Sequence, residues 1–482
     1  MGVASSLVGG LWKLTLAKVL DVFGRPQGYA ASVAILTFGL GMMTLCRDLQ
    51  TYTAAQVLYW VGFNGVGYAL NILVADTSAL KSRGLMMAFT TSPYIITAWI
   101  GGPIAEAFLK GPGYRCGFAI FTVTTPVVCA PLFFMLVWML RKAKSMGFVL
   151  SKEDRTFYEG LKHYAAEFDV VGLFLVTMGS ALLLLPLSLA PLQQEGWKSP
   201  FIITSIITGP MFLASFAVWE RSRSHQKTFL PYRLLTNRTV LGACSLSAVL
   251  FASFYIWNSY FLSYLQVVHD LDPTRASYVY YIYNIGGCLI SLVAGYFVLR
   301  SGRFKMLTLC FGLPMNVLGL ILMLIFRQSA DADLWKTIIA QVVISIAAGT
   351  LLITEQLAVQ ATVEHQHVAV VLAVQGVFAS IGGAIGGTIA TMVWEDVFAK
   401  KLFEYLPDEL KGMASEIYGD LARQKSFAVG TAARWAINKA YADAQVTMLF
   451  AAVGILVTGF GFVLLWEDVN VKESKQVKGT VF

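Results

Sequence analysis

Ala17-Lys18-Val19-Leu20-Asp21-Val22-Phe23-Gly24-Arg25 closes one apolar stretch and opens the next, and the same grammar returns at Gly295-Tyr296-Phe297-Val298-Leu299-Arg300-Ser301-Gly302-Arg303-Phe304-Lys305. In each copy a small residue leads, after seven positions, to a glycine and then an arginine. Such a string fits two long apolar helices joined by a tight basic turn. Its recurrence predicts two related halves of one helical membrane bundle.

Composition agrees. Hydrophobic residues make up 57% of the 482 and charged residues 13%, far below the roughly 25% charged of a soluble domain; mean hydropathy is +0.65. Thirteen apolar runs are expected to span, at about 2–20, 28–46, 53–75, 84–109, 117–140, 169–190, 199–219, 240–264, 276–299, 305–326, 336–360, 367–393 and 446–466. Each matches a hydrocarbon core of about 30 Å when helical. Strands of a membrane barrel would be about half as long and would alternate apolar with polar, so the fold class is all-α membrane. A cleavable leader is not evident, since Lys13 and Lys18 interrupt the first run.

Orientation follows from the basic residues. Placing the turn at 18–25 in the cytosol puts Lys81, Arg83, the basic segments 141–168 and 220–238, Arg300, Arg303, Lys305 and the tail on the same side, which satisfies the positive-inside rule. Thirteen spans then set the C-terminus inside and the N-terminus outside. The net charge of +8 reflects these juxtamembrane cations facing anionic lipid; no nucleic-acid partner is expected, because no soluble domain carries a basic stripe.

Enzymatic chemistry is not indicated. The six cysteines are scattered singly without a C-x-x-C, although Cys46 and Cys116 fall near the same membrane face and a bond between them stays open. His365-x-His367 has no acid or thiol cluster in sequence beside it and reads as a polar helix boundary. No metal site or cofactor is expected. The sequon Asn237-Arg238-Thr239 falls on the cytosolic side, where it should be silent.

Function in a bundle resides in intramembrane polar and aromatic residues. Ser253, Trp257, Tyr260 and Tyr264 share a helical face, Tyr280, Tyr281 and Asn284 follow on the next span, and Asn64, Tyr68 and Asn71 stripe the third. All of the tyrosines, asparagines and Trp257 in these stripes are candidate substrate contacts. The competing readings are an interfacial aromatic belt for the first two groups and interhelical hydrogen bonding for the third. Asp21, Arg25, Asp76 and Arg83, with Gly24, Gly302 and Arg303 shaping the turns, are the candidate cytoplasmic gate. A solvated loop is the simpler alternative. Glu106 and Glu355 are candidate proton carriers, each equally readable as a boundary carboxylate. Gly101-Gly102, Gly382-Gly383 and Gly386-Gly387 permit close helix approach. The segment 394–445 is too long for a passive connector and is expected to fold, with helices at Lys400–Gly412 and Thr431–Gln445.

The turn at 17–26, the hairpin from Val74-Ala75-Asp76-Thr77 to Lys81-Ser82-Arg83-Gly84, and the stretch from Trp219-Glu220 through Leu230-Pro231 to Asn237-Arg238 resemble the fourteen-helix branch of the major facilitator superfamily. Tyr264-Leu265-Gln266-Val267-Val268, Val359-Gln360-Ala361 with His365-Gln366, and Arg434-Trp435-Ala436-Ile437 with Ala440-Tyr441 and Gln445 narrow the resemblance to fungal siderophore-iron transporters. The resemblance implies a proton-coupled importer working by alternating access on ferric siderophores of the hydroxamate type, in a plasma or endosomal vesicle membrane. It also implies that the large outer loop assists capture, with Arg434 and Tyr441 as candidates. It divides the chain into an N-terminal half at 1–140 (helices 2 to 6 of the pattern), a cytoplasmic linker at 141–168, two inserted helices at 169–219, a second linker at 220–238, a C-terminal half at 239–466 and a tail at 467–482. A first helix of the pattern is expected to be missing, since Asp21 lies so close to Met1. Leu299 stands where the pattern has an acid, and Ala17 where it has a glycine. A multidrug or organic-cation exporter of the same branch, and a non-transporting sensor or inactive fragment, remain as alternatives.

Overall fold

The computed structural model describes residues 2–147, 168–190, 193, 196–222, 234, 236–328 and 333–473. Its helices are α1 Gly2–Val22, α2 Arg25–Leu45, α3 Leu49–Thr77, α4 Leu80–Thr91, α5 Tyr94–Lys110, α6 Tyr114–Ser145, α7 Val170–Leu189, α8 Pro200–Ser222, α9 Arg238–Asn258 and α10 Phe261–Val267. They continue as α11 Pro273–Ser301, α12 Lys305–Phe326, α13 Leu334–Ala361, α14 Val368–Val393, α15 Ala399–Tyr405, α16 Ala414–Gly419, α17 Leu421–Ser426 and α18 Ala432–Leu464. Among the described residues the sole bridge of strand type joins Arg303 to Asn470. The apolar runs therefore fold as an all-helical membrane bundle.

Local chemistry sets the helix starts. Asp48 caps α3 by accepting from the Thr51 amide at 2.7 Å, and Asp272 caps α11 from the Arg275 amide at 2.7 Å, with Pro273 in the first turn. Asn237 accepts from the Thr239 and Val240 amides at the start of α9, so the sequon asparagine serves as a cap. In both basic turns the glycine is required by conformation, with φ of 104° at Gly24 and 79° at Gly302.

Of the thirteen expected spans, ten correspond to helices long and apolar enough to cross a membrane among the described residues. The other three are helical but differ. Lys13, Lys18 and Asp21 raise the polarity of α1. The run at 84–109 breaks at Ser92-Pro93 into α4 and α5, because proline supplies no amide and crowds the preceding turn. Val170–Pro186 is the apolar part of α7. The loop is folded, as expected, with different boundaries. A π turn at Trp394–Phe398 carries α14 into α15, which stops at Tyr405 rather than Gly412. Pro407 forces Leu406 into extended geometry there. The second loop helix is continuous with the last span, so that α18 runs unbroken for 33 residues.

Packing repeats between the two basic turns. α1 packs on α3 and α2 on α3 and α6; correspondingly α11 packs on α13, and α12 on α13 and α18. The helix before each turn crosses to the other half: α1 lies against α14, and α11 lies against α4 and α5. Outward faces keep large apolar side chains such as Phe134, Trp138 and Phe297 exposed, which suits hydrocarbon as the surrounding solvent.

Candidate functional site

The turn after α1 brings Arg25 between two acids. Its Nη1 lies 2.6 Å from Asp21 Oδ1 and its Nε 2.9 Å from Asp76 Oδ2. The fourth expected member differs. Arg83 is buried and donates to the carbonyls of Ala75 (3.0 Å) and Ser78 (3.3 Å) and to Gln360 Oε1 (3.3 Å). All four expected gate residues come from one half, so pairing among them cannot lock the halves together. The cross-half ties come from residues that the sequence did not assign to the gate. His365 Nε2 lies 3.4 Å from Asp76 Oδ1, Gln360 holds Arg83, and Tyr68 Oη donates to the Ala369 carbonyl at 2.5 Å. Gln360 and His365 belong to one of the narrower strings quoted above, so a signal was present. The second turn behaves otherwise: the Gly302 carbonyl accepts from Val471, Lys305 donates to the carbonyls of Leu464 and Trp466, and Arg303 is exposed. It clasps the C-terminal segment.

A cavity of about 290 Å³ lies inside the second half, bounded by α9, α11, α12 and α13. Trp257, Asn284 and Glu355 of the expected residues line it, and so do Tyr283, Asn316 and Phe254, which the sequence reading did not select. Asn316 was findable as a lone amide in an otherwise apolar run. Tyr283 stacks on Phe254 with centroids 5.0 Å apart and meets Trp257 edge-on at 5.8 Å. Glu355 is only 3% exposed; Ser247 Oγ donates to its Oε1 at 3.3 Å, while Oε2 has no hydrogen-bond partner. The cavity therefore combines aromatic faces, two amides and one carboxyl group. Among the described residues no three metal-binding side chains converge.

Other expected contacts are engaged elsewhere. Asn64 folds back on the Trp60 carbonyl at 2.9 Å, and Asn71 is half-buried on the same helix; neither lines the cavity. Tyr264 is fully buried under the Arg327 guanidinium, 4.9 Å from its ring. Tyr280 accepts from Asn258 Nδ2 at 2.7 Å and meets Tyr281 edge-on. Tyr260 stacks flat on Trp394 at 4.1 Å, Trp394 on Phe398 at 4.1 Å, and Tyr441 closes the stack edge-on at 5.0 Å from Trp394. The π turn places Trp394 and Phe398 on one face and thereby builds this column.

Arg434 and Tyr441 were expected to capture ligand from the loop, yet both are buried. Arg434 donates to the carbonyls of Val267 (2.6 Å), Gln424, Lys425 and Phe427 and pairs with Asp270 at 3.0 Å; Tyr441 donates to Gln424 Oε1 at 2.9 Å. They anchor the folded loop to α10 and are withdrawn from direct capture. Glu106 pairs with Lys110 at 2.5 Å and accepts from Thr274, which occupies its oxygens in tying α5 to α11. The six cysteines are free, so Cys46 and Cys116 are not bonded.

Residues 170–387 match the Major Facilitator Superfamily. MFS siderochrome iron transporter 1 of Ajellomyces capsulatus is 52% identical over 480 residues, covering 99% of this chain and 81% of its own. Siderophore iron transporter mirB of Emericella nidulans is 38% identical over 482 residues, covering 100% of this chain and 79% of its own. Among solved structures, the human organic anion transporter MFSD10 superposes with a TM-score of 0.54 at 12% identity, covering 96% of this chain and 82% of that one. The proton:xylose symporter XylE gives 0.50 at 13% identity, with 88% and 84% covered. At such identities the two structures speak to the fold alone.

Proposed function

Because the chain belongs to the fungal siderophore-iron transporters of the major facilitator superfamily, we propose that it carries intact ferric siderophores inward across a plasma or vesicle membrane, coupled to protons and by alternating access. Identity of 52% along nearly the whole chain to a siderochrome iron transporter carries this reading. A siderophore encloses Fe(III) in its own oxygen ligands, so its carrier needs shape, rings and amides rather than an acid and histidine cage. The cavity with Trp257, Tyr283, Asn284 and Asn316 offers that chemistry. Its roughly 290 Å³ sits at the small end of ligand sites, which run to about 1,000 Å³. A bulky complex therefore requires the helices to part, as rocking of the halves would allow.

Glu355 is the proposed proton carrier. It lines the cavity and its Oε2 has no hydrogen-bond partner, so its protonation would take place beside the space offered to substrate. One proton moving down a potential of about 100 mV supplies roughly 2.3 kcal/mol, enough for about a fiftyfold gradient of a neutral solute. The test is growth on ferric hydroxamate complexes as sole iron in cells stripped of other uptake routes. Growth dependent on the chain supports import; none with any complex, at normal surface level, counts against it.

A further inference from the structure

Between α11 and α12, which flank the second basic turn, lies a groove of about 660 Å³ with α13 as its floor. Val293 and Phe297 of α11 and Met306 and Phe311 of α12 form its walls, and all four are exposed. On the floor, Thr350 donates its hydroxyl to the Ile346 carbonyl of its own helix at 3.1 Å, which leaves that surface apolar. A π turn at Thr308–Gly312, wider than an α turn, brings both Cys310 and Phe311 onto the wall. The groove shares no lining residue with the cavity assigned to transport, so it stands apart from the proposed function. One charge interrupts this lining. Arg303 lines the groove at the turn, where the two spans end, and is exposed. At the first turn Arg25 is neutralised by Asp21, four positions earlier, and by Asp76. At the second, Leu299 stands four positions before Arg303, and among the described residues no carboxylate pairs with Arg303. Its basic neighbours are engaged: Arg300 Nε donates to Tyr296 Oη at 3.1 Å, and Lys305 holds the Leu464 and Trp466 carbonyls. An unpaired cation at the end of a slot for hydrocarbon matches both parts of an anionic lipid.

We propose that one anionic glycerophospholipid seats an acyl chain in this groove and its phosphate against Arg303, supplying the negative charge that Asp21 supplies at the first turn. A zwitterionic lipid fills the groove equally but brings no net charge to the arginine. The test uses the full chain purified in detergent and stripped of lipid, then given dioleoyl phosphatidylserine or dioleoyl phosphatidylcholine. Native mass spectrometry should count one retained phosphatidylserine, bound about fivefold tighter than phosphatidylcholine, the worth of one cation at an anionic surface. The melting temperature should rise by several degrees with it. Arg303→Gln should erase the preference while keeping both lipids, and Cys310→Trp, which fills the groove, should lose both. Equal affinity for the two lipids in the unaltered protein, or a preference that survives Arg303→Gln, would overturn the site. Glycerophosphoserine, the headgroup and phosphate without chains, should leave melting unchanged; a shift as large as that of the whole lipid would make this an anion contact and refute the lipid. Should either variant fail to fold, competition between the two lipids on the unaltered protein decides the matter by the same criterion.

Discussion

Among the described residues Asp76 is tied to Arg25 within its half and to His365 across the halves, whereas the ion pair at Asp21 is with Arg25, in its own half. Removing charge at the two acids should therefore be unequal. Asp76→Asn is expected to lower uptake about tenfold, the worth of roughly 1.4 kcal/mol, and Asp21→Asn only about two- to threefold, as for a partly exposed pair; initial rates at matched surface level check the order. Glu355→Gln keeps the shape and the Ser247 contact while removing the titratable proton. It should abolish accumulation driven by a proton gradient in vesicles while sparing counterflow exchange of labelled complex. His269 lies outside the spans and gives a pH signature. Burial chiefly, with the Arg327 charge beside it and Asp333 opposing, holds its imidazole down to about 4. The unfolded chain binds that proton near the ordinary value of about 6.5, so stability is whole above 6.5 and falls as pH drops toward 4; His269→Gln should flatten that decline in thermal melts. At this scale the sequence exposed the acids and Arg25, which sit in a recognisable turn. It showed Gln360 and His365 only within a family-like string and hid their partners, which lie far along the chain, and it made Arg434 look exposed because burial of a loop cation depends on which carbonyls fold over it.

Helix contacts turn the glycine pairs into separable predictions. A Cβ on Gly382 would meet the Cα of Ala248 at 2.8 Å and one on Gly386 the Cα of Ala252 at 2.9 Å, whereas one on Gly101 meets nothing within 4 Å. Gly386→Val should thus destabilise the α9–α14 contact by about 1–3 kcal/mol, the usual cost of overpacking, and lower both melting temperature and expression; Gly101→Ala should change neither. Span positions were legible because apolar runs of helical length leave little choice. Boundaries were legible only where punctuation is local. Pro93 and Pro407 could have been read as breaks within 84–109 and Lys400–Gly412, but the continuity of α18 from the loop into the bilayer could not, since no turn residue marks either course. The π turn at Trp394–Phe398, which creates the aromatic column with Tyr260 and Tyr441, has no sequence signature at all.

At the scale of the whole molecule, the reciprocal crossing of α1 onto α14 and of α11 onto α4 and α5 is what a rocking pair of halves requires. The repeated turn anticipated two related halves but not this crossing. It could not reveal that the first turn binds across to the other half through Asp76 while the second clasps the chain's own C-terminal segment. We propose that the first turn opens in each cycle and the second stays shut. Import of the intact complex is the central claim. Its most direct test is double-label uptake, with iron-55 and a tritiated hydroxamate ligand, in cells where this chain is the sole route. Both labels should enter together in a fixed ratio, accumulate above the outside concentration, and stop accumulating on addition of a protonophore. Entry of iron without ligand, net efflux of the complex, or accumulation indifferent to the protonophore would contradict it.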